Sequence, residues 1–179
     1  SSRKAIFEPL EPRLLLSADL AFAGAAALDL TLQLDDSDSS ILQLVDNIDS
    51  SVLIEQALSE TTGVSITGST ESDRLVIDLD SPIFLENGIN FTDSTSGDND
   101  TLVGPNFDSN WNVDGQDSGN VEGVIFSGIE NLTGAAGNED TFVFSGEGGL
   151  TGQLEGGDGG FDIIQLDGDF QQITYATSG

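Results

Sequence analysis

The stretch "GNEDTFVFSGEGGLTGQLEGGDGGFDIIQLDG", residues 137–168, decides the fold. Two apolar runs, "TFVF" and "IIQL", each follow an aspartate and are each closed by a glycine one residue on. Runs this short, β-branched or aromatic and bounded by glycine, are strands rather than helical turns. The glycines between them supply the positive φ angles that tight corners require. Strands of four or five residues bury little alone, so they must stack side by side.

Working outward, "GVSITG", "DRLVIDLD", "DTLVG" and "VEGVIFSGIENL" repeat the theme between residues 63 and 132 with no helical segment between them. Asp73, Asp100, Asp140 and Asp162 open four of the apolar runs. The expected fold is mainly β, a parallel β-helix or solenoid-like stack of strands, with a short helical N-terminal segment. Residues 61–179 form the β-repeat region, which is expected to continue beyond Gly179. Residues 31–60 read differently. "DDSDSS" supplies helix-capping residues, and Ile41, Leu44, Val45, Ile48 and Val52 then fall mostly at three- and four-residue steps. That spacing predicts an acidic amphipathic helical linker or cap over 31–60.

Charge is distributed unevenly. Arg3, Lys4 and Arg13 balance Glu8, Glu11 and Asp19, so Arg74 is the sole base in a body that carries the whole net charge of −28. Such a surface repels nucleic acid and anionic lipid, both of which need a positive footprint. Divalent cations are its natural partners, because the acids are mostly Asp set among Gly, Asn and Ser. Cys and His are absent, which excludes disulfides and thiolate or imidazole metal sites. The apolar run "LLLSADLAFAGAAAL", residues 14–28, is interrupted by Asp19 and falls short of the roughly 18 residues of a membrane span.

Nucleophilic triads and phosphate-handling sites lack parts in such a chain. Carboxylate pairs of the glycosidase kind carry no signal where Asp and Glu are everywhere. The chain is therefore expected not to be an enzyme.

The segments "SGDNDTLVG", "AAGNEDTFVF" and "GGDGGFDIIQL" resemble the calcium-binding nonapeptides of repeats-in-toxin proteins, GGxGxDxUx with U apolar. In "GDGGFDIIQ", Gly157, Gly160, Asp162 and Ile164 occupy the first, fourth, sixth and eighth places, while Asp158 replaces the second glycine. The resemblance implies calcium as a cofactor, held by Asp140, Asp158 and Asp162 with turn carbonyls. The family's copies are tandem and these are scattered, so a second reading stands and is preferred here: the acids make hydrated solenoid corners. Residues 100–159, with Trp111 in "WNVDG", then "GVIFSGIENLTG", "DTFVF" and "LTGQLEGGDG", look like a unit of very large repetitive bacterial surface proteins. What this implies is a stacked-sheet repeat such as that of filamentous haemagglutinin-like adhesins, with Trp111 as a core or end-cap residue.

"LEPRLLLSAD", residues 10–19, closely resembles the LEPR-XLL motif near the start of giant exported bacterial proteins, matched by Leu10, Glu11, Pro12, Arg13, Leu15 and Leu16. The resemblance implies that residues 1–30 are an export or sorting segment recognised by export machinery. The expected function is a non-catalytic structural or adhesive segment of a large secreted or surface-retained bacterial protein, with calcium as a stabiliser and an extracellular surface, carbohydrate or protein as ligand. The alternative is the N-terminal part of a secreted calcium-dependent toxin or hydrolase whose catalytic domain lies downstream.

Overall fold

The computed structural model describes residues 18–94 and 98–168 of the chain. The LEPR-XLL match at Leu10–Leu16 lies outside the described residues. Among the described residues, fifteen strands form two sheets. In chain order they are β1 (Ala18–Ala23), β2 (Asp29–Leu34), β3 (Ile41–Asp46), β4 (Val52–Ala57), β5 (Thr61–Thr67), β6 (Arg74–Asp78), β7 (Ile89–Thr92) and β8 (Thr101–Val103). They continue as β9 (Asn110–Gly115), β10 (Ser118–Val121), β11 (Val124–Ser127), β12 (Asn131–Thr133), β13 (Thr141–Ser145), β14 (Leu154–Glu155) and β15 (Ile163–Asp167). The chain is mainly β, as expected.

The first sheet runs β1-β5-β7-β11-β10-β9-β13-β15 and the second β14-β12-β8-β6-β2-β3-β4. From β5 onward the chain passes from one sheet to the other and back, and successive visits to a sheet pair in parallel. Two antiparallel excursions interrupt this. The β3–β4 hairpin extends the second sheet beyond β2, and the β9–β10–β11 meander inserts two extra strands in the first.

In-register pairing, parallel except through the β9–β10–β11 meander, places like residues on like. Leu30, Leu75, Leu102, Leu132 and Leu154 form one column of the second sheet. Leu20, Val64, Ile89, Val124, Val121, Trp111 and Phe142 form a facing column of the first. All but Leu154 are buried, and together they make one core between the sheets. Each such side chain contributes about 1.5–3 kcal/mol of hydrophobic stabilisation. Trp111 sits inside this core, its ring centroid 5.2 Å from that of Phe142 and 6.3 Å from that of Phe126. Within the first sheet β10 lies so close to β9 at their irregular pairing that a Cβ on Gly119 would lie 2.0 Å from the Asn112 carbonyl oxygen.

The helical expectation for 31–60 is corrected by the structure. Residues 41–57 form the β3–β4 hairpin, and the 3₁₀ turn Leu58–Glu60 is the helical piece found there. The side chains of Asp35 and Asp38 close their own turn. Asp35 Oδ1 accepts from the Ser37 and Asp38 N–H groups and Asp38 Oδ1 from that of Ser40, so these residues build turns instead of capping a helix. Ile48, which completed the helical period, lies in the hairpin loop and is 77% exposed. What overrides the local pattern is β2, whose parallel pairing with β6 offers a free edge on which β3 adds. The β architecture also reaches back to Ala18, where β1 pairs in parallel with β5.

Candidate functional site

The acids that open the apolar runs occupy the corners between the sheets. At the corner leading into the second sheet, Leu28, Asp73, Asp100 and Glu130 hold equivalent positions immediately before β2, β6, β8 and β12. The Asp73 carboxylate accepts from the Leu28 N–H at 2.6 Å, that of Asp100 from the Asp73 N–H at 2.8 Å, and that of Glu130 from the Asp100 N–H at 2.8 Å. The next residue completes each step. Arg74, Thr101 and Asn131 donate their N–H groups to the carbonyls of Leu28, Asp73 and Asp100.

The corner leading back to the first sheet repeats the device. Asp140 Oδ1 accepts from the Ser109 N–H and Asp162 Oδ1 from the Asp140 N–H, both at 2.9 Å. Thr141 and Ile163 donate in turn to the carbonyls of Ser109 and Asp140. Five times, therefore, the N–H and C=O of a corner residue are both claimed by the turn of chain stacked on it. A corner cannot use the β ladder for its N–H, and a short carboxylate replaces the missing strand partner.

These carboxylates are deeply placed. Asp73, Asp100 and Asp140 are 2%, 0% and 1% exposed. Asp100 Oδ2 and Asp140 Oδ2 are buried without a hydrogen-bond partner, as are both carboxylate oxygens of Asp98. Burial pushes the Asp100 carboxyl up to about 7, with the nearby charges of Asp93, Asp98 and Asp73 adding to it and the Asp73 N–H opposing it. Burial likewise raises Asp140, helped by the charges of Asp162 and Asp108 and opposed by donors from Ser109 and Asn138.

Around Asp100 the acids gather. Carboxylate oxygens of Asp73, Asp93 and Asp100 lie within 4.8 Å of one another, and so do those of Asp98, Asp100 and Glu130. Gly68 forms part of the wall: a Cβ there would stand 2.4 Å from Asp93 Oδ2 and 2.6 Å from Asp73 Oδ2. Asp73 is well supplied with donors, since Ser69 gives it both its N–H and its hydroxyl besides the Leu28 N–H. Arg74, the sole base among the described residues, reaches instead to Asp29 at 3.1 Å.

Of the three ligands expected from sequence, Asp140 and Asp162 are brought together as rungs of one ladder. Asp158 is exposed and contributes its backbone carbonyl, which accepts from the Gly137 N–H. Asp73 and Asp100 were visible as repeat residues but not as a cluster. Glu130 was legible in principle, because "ENL" at 130–132 sits in register with "DTL" at 100–102. Asp98 lies in the nonapeptide-like segment "SGDNDTLVG", two residues before Asp100, whereas Asp93 belongs to no repeat frame and is placed only by the fold.

Compared with protein-family models, with curated proteins and with solved structures, the chain matches none.

Proposed function

We propose that this chain is a non-catalytic structural segment of a large extracellular bacterial repeat protein, a two-sheet solenoid whose wall serves as an adhesive or spacer surface. The observation that carries the reading is the fivefold recurrence of the same corner clamp. A device that commits both backbone groups of each corner to the neighbouring turn is suited to propagating a stack. It does not open a cleft.

The outward positions of the first sheet fit this role. Ser65 pairs with Asn90, Thr67 with Thr92, Thr92 with Ser127 and Asn120 with Asn112, giving rows of short polar side chains along a broad wall, interrupted by the exposed Ile125 between Asn90 and Asn120. Such a wall stays wetted and presents many hydrogen-bonding groups to an extended partner such as a carbohydrate or a protein surface. No helix of the described residues is long and apolar enough to cross a membrane. The resemblance of residues 10–19 to the LEPR-XLL motif supports export of the protein.

Shape and address test the reading separately. Small-angle scattering should show an elongated particle, since each stacked turn adds about 4.8 Å along the axis. Protease applied to intact cells should release peptides of the acidic body. A protein protected in intact cells but digested after lysis would overturn the extracellular assignment.

A further inference from the structure

We infer that the carboxylate cluster centred on Asp100 is a binding site for one divalent cation of the calcium class, with Asp93, Asp98, Asp100 and Glu130 as its acidic ligands and Asp73 as its buttress. This goes beyond the structural role proposed above and rests on different atoms. The clamps use Asp100 Oδ1 and Glu130 Oε2 to accept backbone N–H groups, whereas the cation site uses what those bonds leave over.

Two observations carry it independently. The first is convergence: two carboxylate triads, Asp73–Asp93–Asp100 and Asp98–Asp100–Glu130, meet at Asp100, at a corner where successive turns of the chain meet. The second is the unpartnered Oδ2 of Asp100, a side chain with 0% exposure, joined by both buried and unpartnered oxygens of Asp98. Buried anionic oxygens without donors are costly, and among the described residues the one base, Arg74, pairs with Asp29 instead. A hard cation is the counterpart that fits an all-oxygen, all-acid site in a chain without His or Cys.

Each triad is compact enough for one ion, its carboxylate oxygens lying within 4.8 Å of one another. Calcium suits such a set because it accepts several carboxylates in irregular geometry, whereas magnesium demands a near-ideal octahedron and keeps several of its waters. The missing side chain at Gly68 keeps a Cβ out of the space beside Asp73 and Asp93. The site takes Asp98 and Asp100 from the nonapeptide-like segment "SGDNDTLVG" and is distinct from the segment at 157–165, which belongs to the other corner.

Isothermal titration of the 179-residue chain with calcium chloride tests the proposal. Salt near 0.15 M suppresses diffuse binding to the acidic surface. One saturable calcium with Kd of about 10⁻⁴–10⁻³ M is expected, the range of extracellular sites. Asp98→Asn and Asp100→Asn should each weaken it by about tenfold or more, while Asp158→Asn leaves it unchanged. Asp100→Asn retains the acceptor for the Asp73 N–H. If that variant nonetheless fails to fold by circular dichroism, Asp98→Asn decides alone, because Asp98 takes part in no clamp. The proposal is overturned if the wild type shows no saturable binding up to about 10 mM, tenfold above the weakest extracellular sites. It is equally overturned if Asp98→Asn binds as the wild type does, or if Asp158→Asn abolishes the site. Equal affinity for magnesium would sink the calcium-class assignment. A negative outcome leaves the structural function standing, since that depends on the clamps.

Discussion

Replacing Asp140 by Ala and by Asn separates the two jobs a corner acid could do. In the folded chain Asp140 Oδ1 accepts from the Ser109 N–H and from Asn138 Nδ2, both at 2.9 Å, while Oδ2 is buried and unpartnered. Ala removes the acceptor. The Ser109 N–H, on a residue 2% exposed, is then left unsatisfied at a cost of about 1–3 kcal/mol. Asn138 loses one of its two bonds but keeps the one to the Phe107 carbonyl, a further cost of about 1 kcal/mol. Relief of the buried charge offsets part of this, so a net loss of about 2 kcal/mol is expected, a large share of the 5–15 kcal/mol typical of a domain. Asn keeps the Oδ1 acceptor and deletes the buried charge. It should match or exceed the wild type at neutral pH.

The pH dependence has a definite sign. The carboxyl of Asp140 is raised above 3.8 in the folded state, by burial first and then by Asp162 and Asp108. The stability it contributes is fully present below that unfolded value and is lost as pH rises through the folded one. The stability difference between Asp140→Asn and the wild type should therefore widen, in favour of Asn, as pH climbs from acid toward neutral. Urea unfolding followed by far-ultraviolet circular dichroism across that range measures it, and the acids that do not interact with Asp140 cancel in the comparison. If Asn costs as much as Ala at neutral pH, the carboxylate is needed for its charge. Asp140 would then regain the cation-ligand role that the nonapeptide resemblance implied.

Other outcomes follow from the packing. Gly104→Ala would set a Cβ 2.3 Å from Trp111 Cζ2, against an indole pinned by Phe142 and Phe126, and should cost about 1–3 kcal/mol. Adding Trp111→Phe, which removes that atom, should recover much of the loss in a double-mutant cycle read by urea unfolding. Gly160→Ala and Gly137→Ala start from nearly equal φ angles of 82° and 79°, but the first would meet the Asn138 carbonyl oxygen at 1.7 Å and the second nothing within 4 Å. The Gly137 change should cost only the left-handed backbone penalty of about 1–2 kcal/mol and the Gly160 change clearly more, as compared by thermal melting. Equal losses would mean that the corner has room to give.

The all-β class was legible because strand alternation and glycine corners are local signals. The failure at residues 41–52 has a physical cause. Two strands joined by a short loop, with Ile48 exposed in that loop, reproduce helical spacing by accident, and the deciding contact is the β2–β6 pairing across 45 residues of chain. The corner acids were legible as a repeat but not as two ladders. Asp73 and Asp100 belong to one corner, Asp140 and Asp162 to the other, and the run of chain between stacked positions varies with the meander. The cluster around Asp100 was out of reach: Asp98 stands two residues before Asp100, but Asp73, Asp93 and Glu130 join it only by folding.

The ladders also have a direction, and that direction makes a prediction against the repeat consensus. Every clamp runs one way: the acid of a later turn reads the N–H of the turn before it. The residue that opens each ladder is accordingly not an acid. It is Leu28 at one corner and Ser109 at the other, and each gives an N–H without taking one into its side chain. A consensus built from Asp73, Asp100, Asp140 and Asp162 would place Asp at 28. Physically that change gains nothing, because the backbone of Leu28 already donates to Asp73 whatever its side chain. It also removes a half-buried leucine packed on the core and sets another charge beside the Asp73–Asp100 corner. Leu28→Asp should therefore cost about 2 kcal/mol in urea unfolding, although it perfects the sequence repeat. If it stabilised the chain instead, side-chain identity alone would specify the clamp, and the directional account of the stack would have to be abandoned.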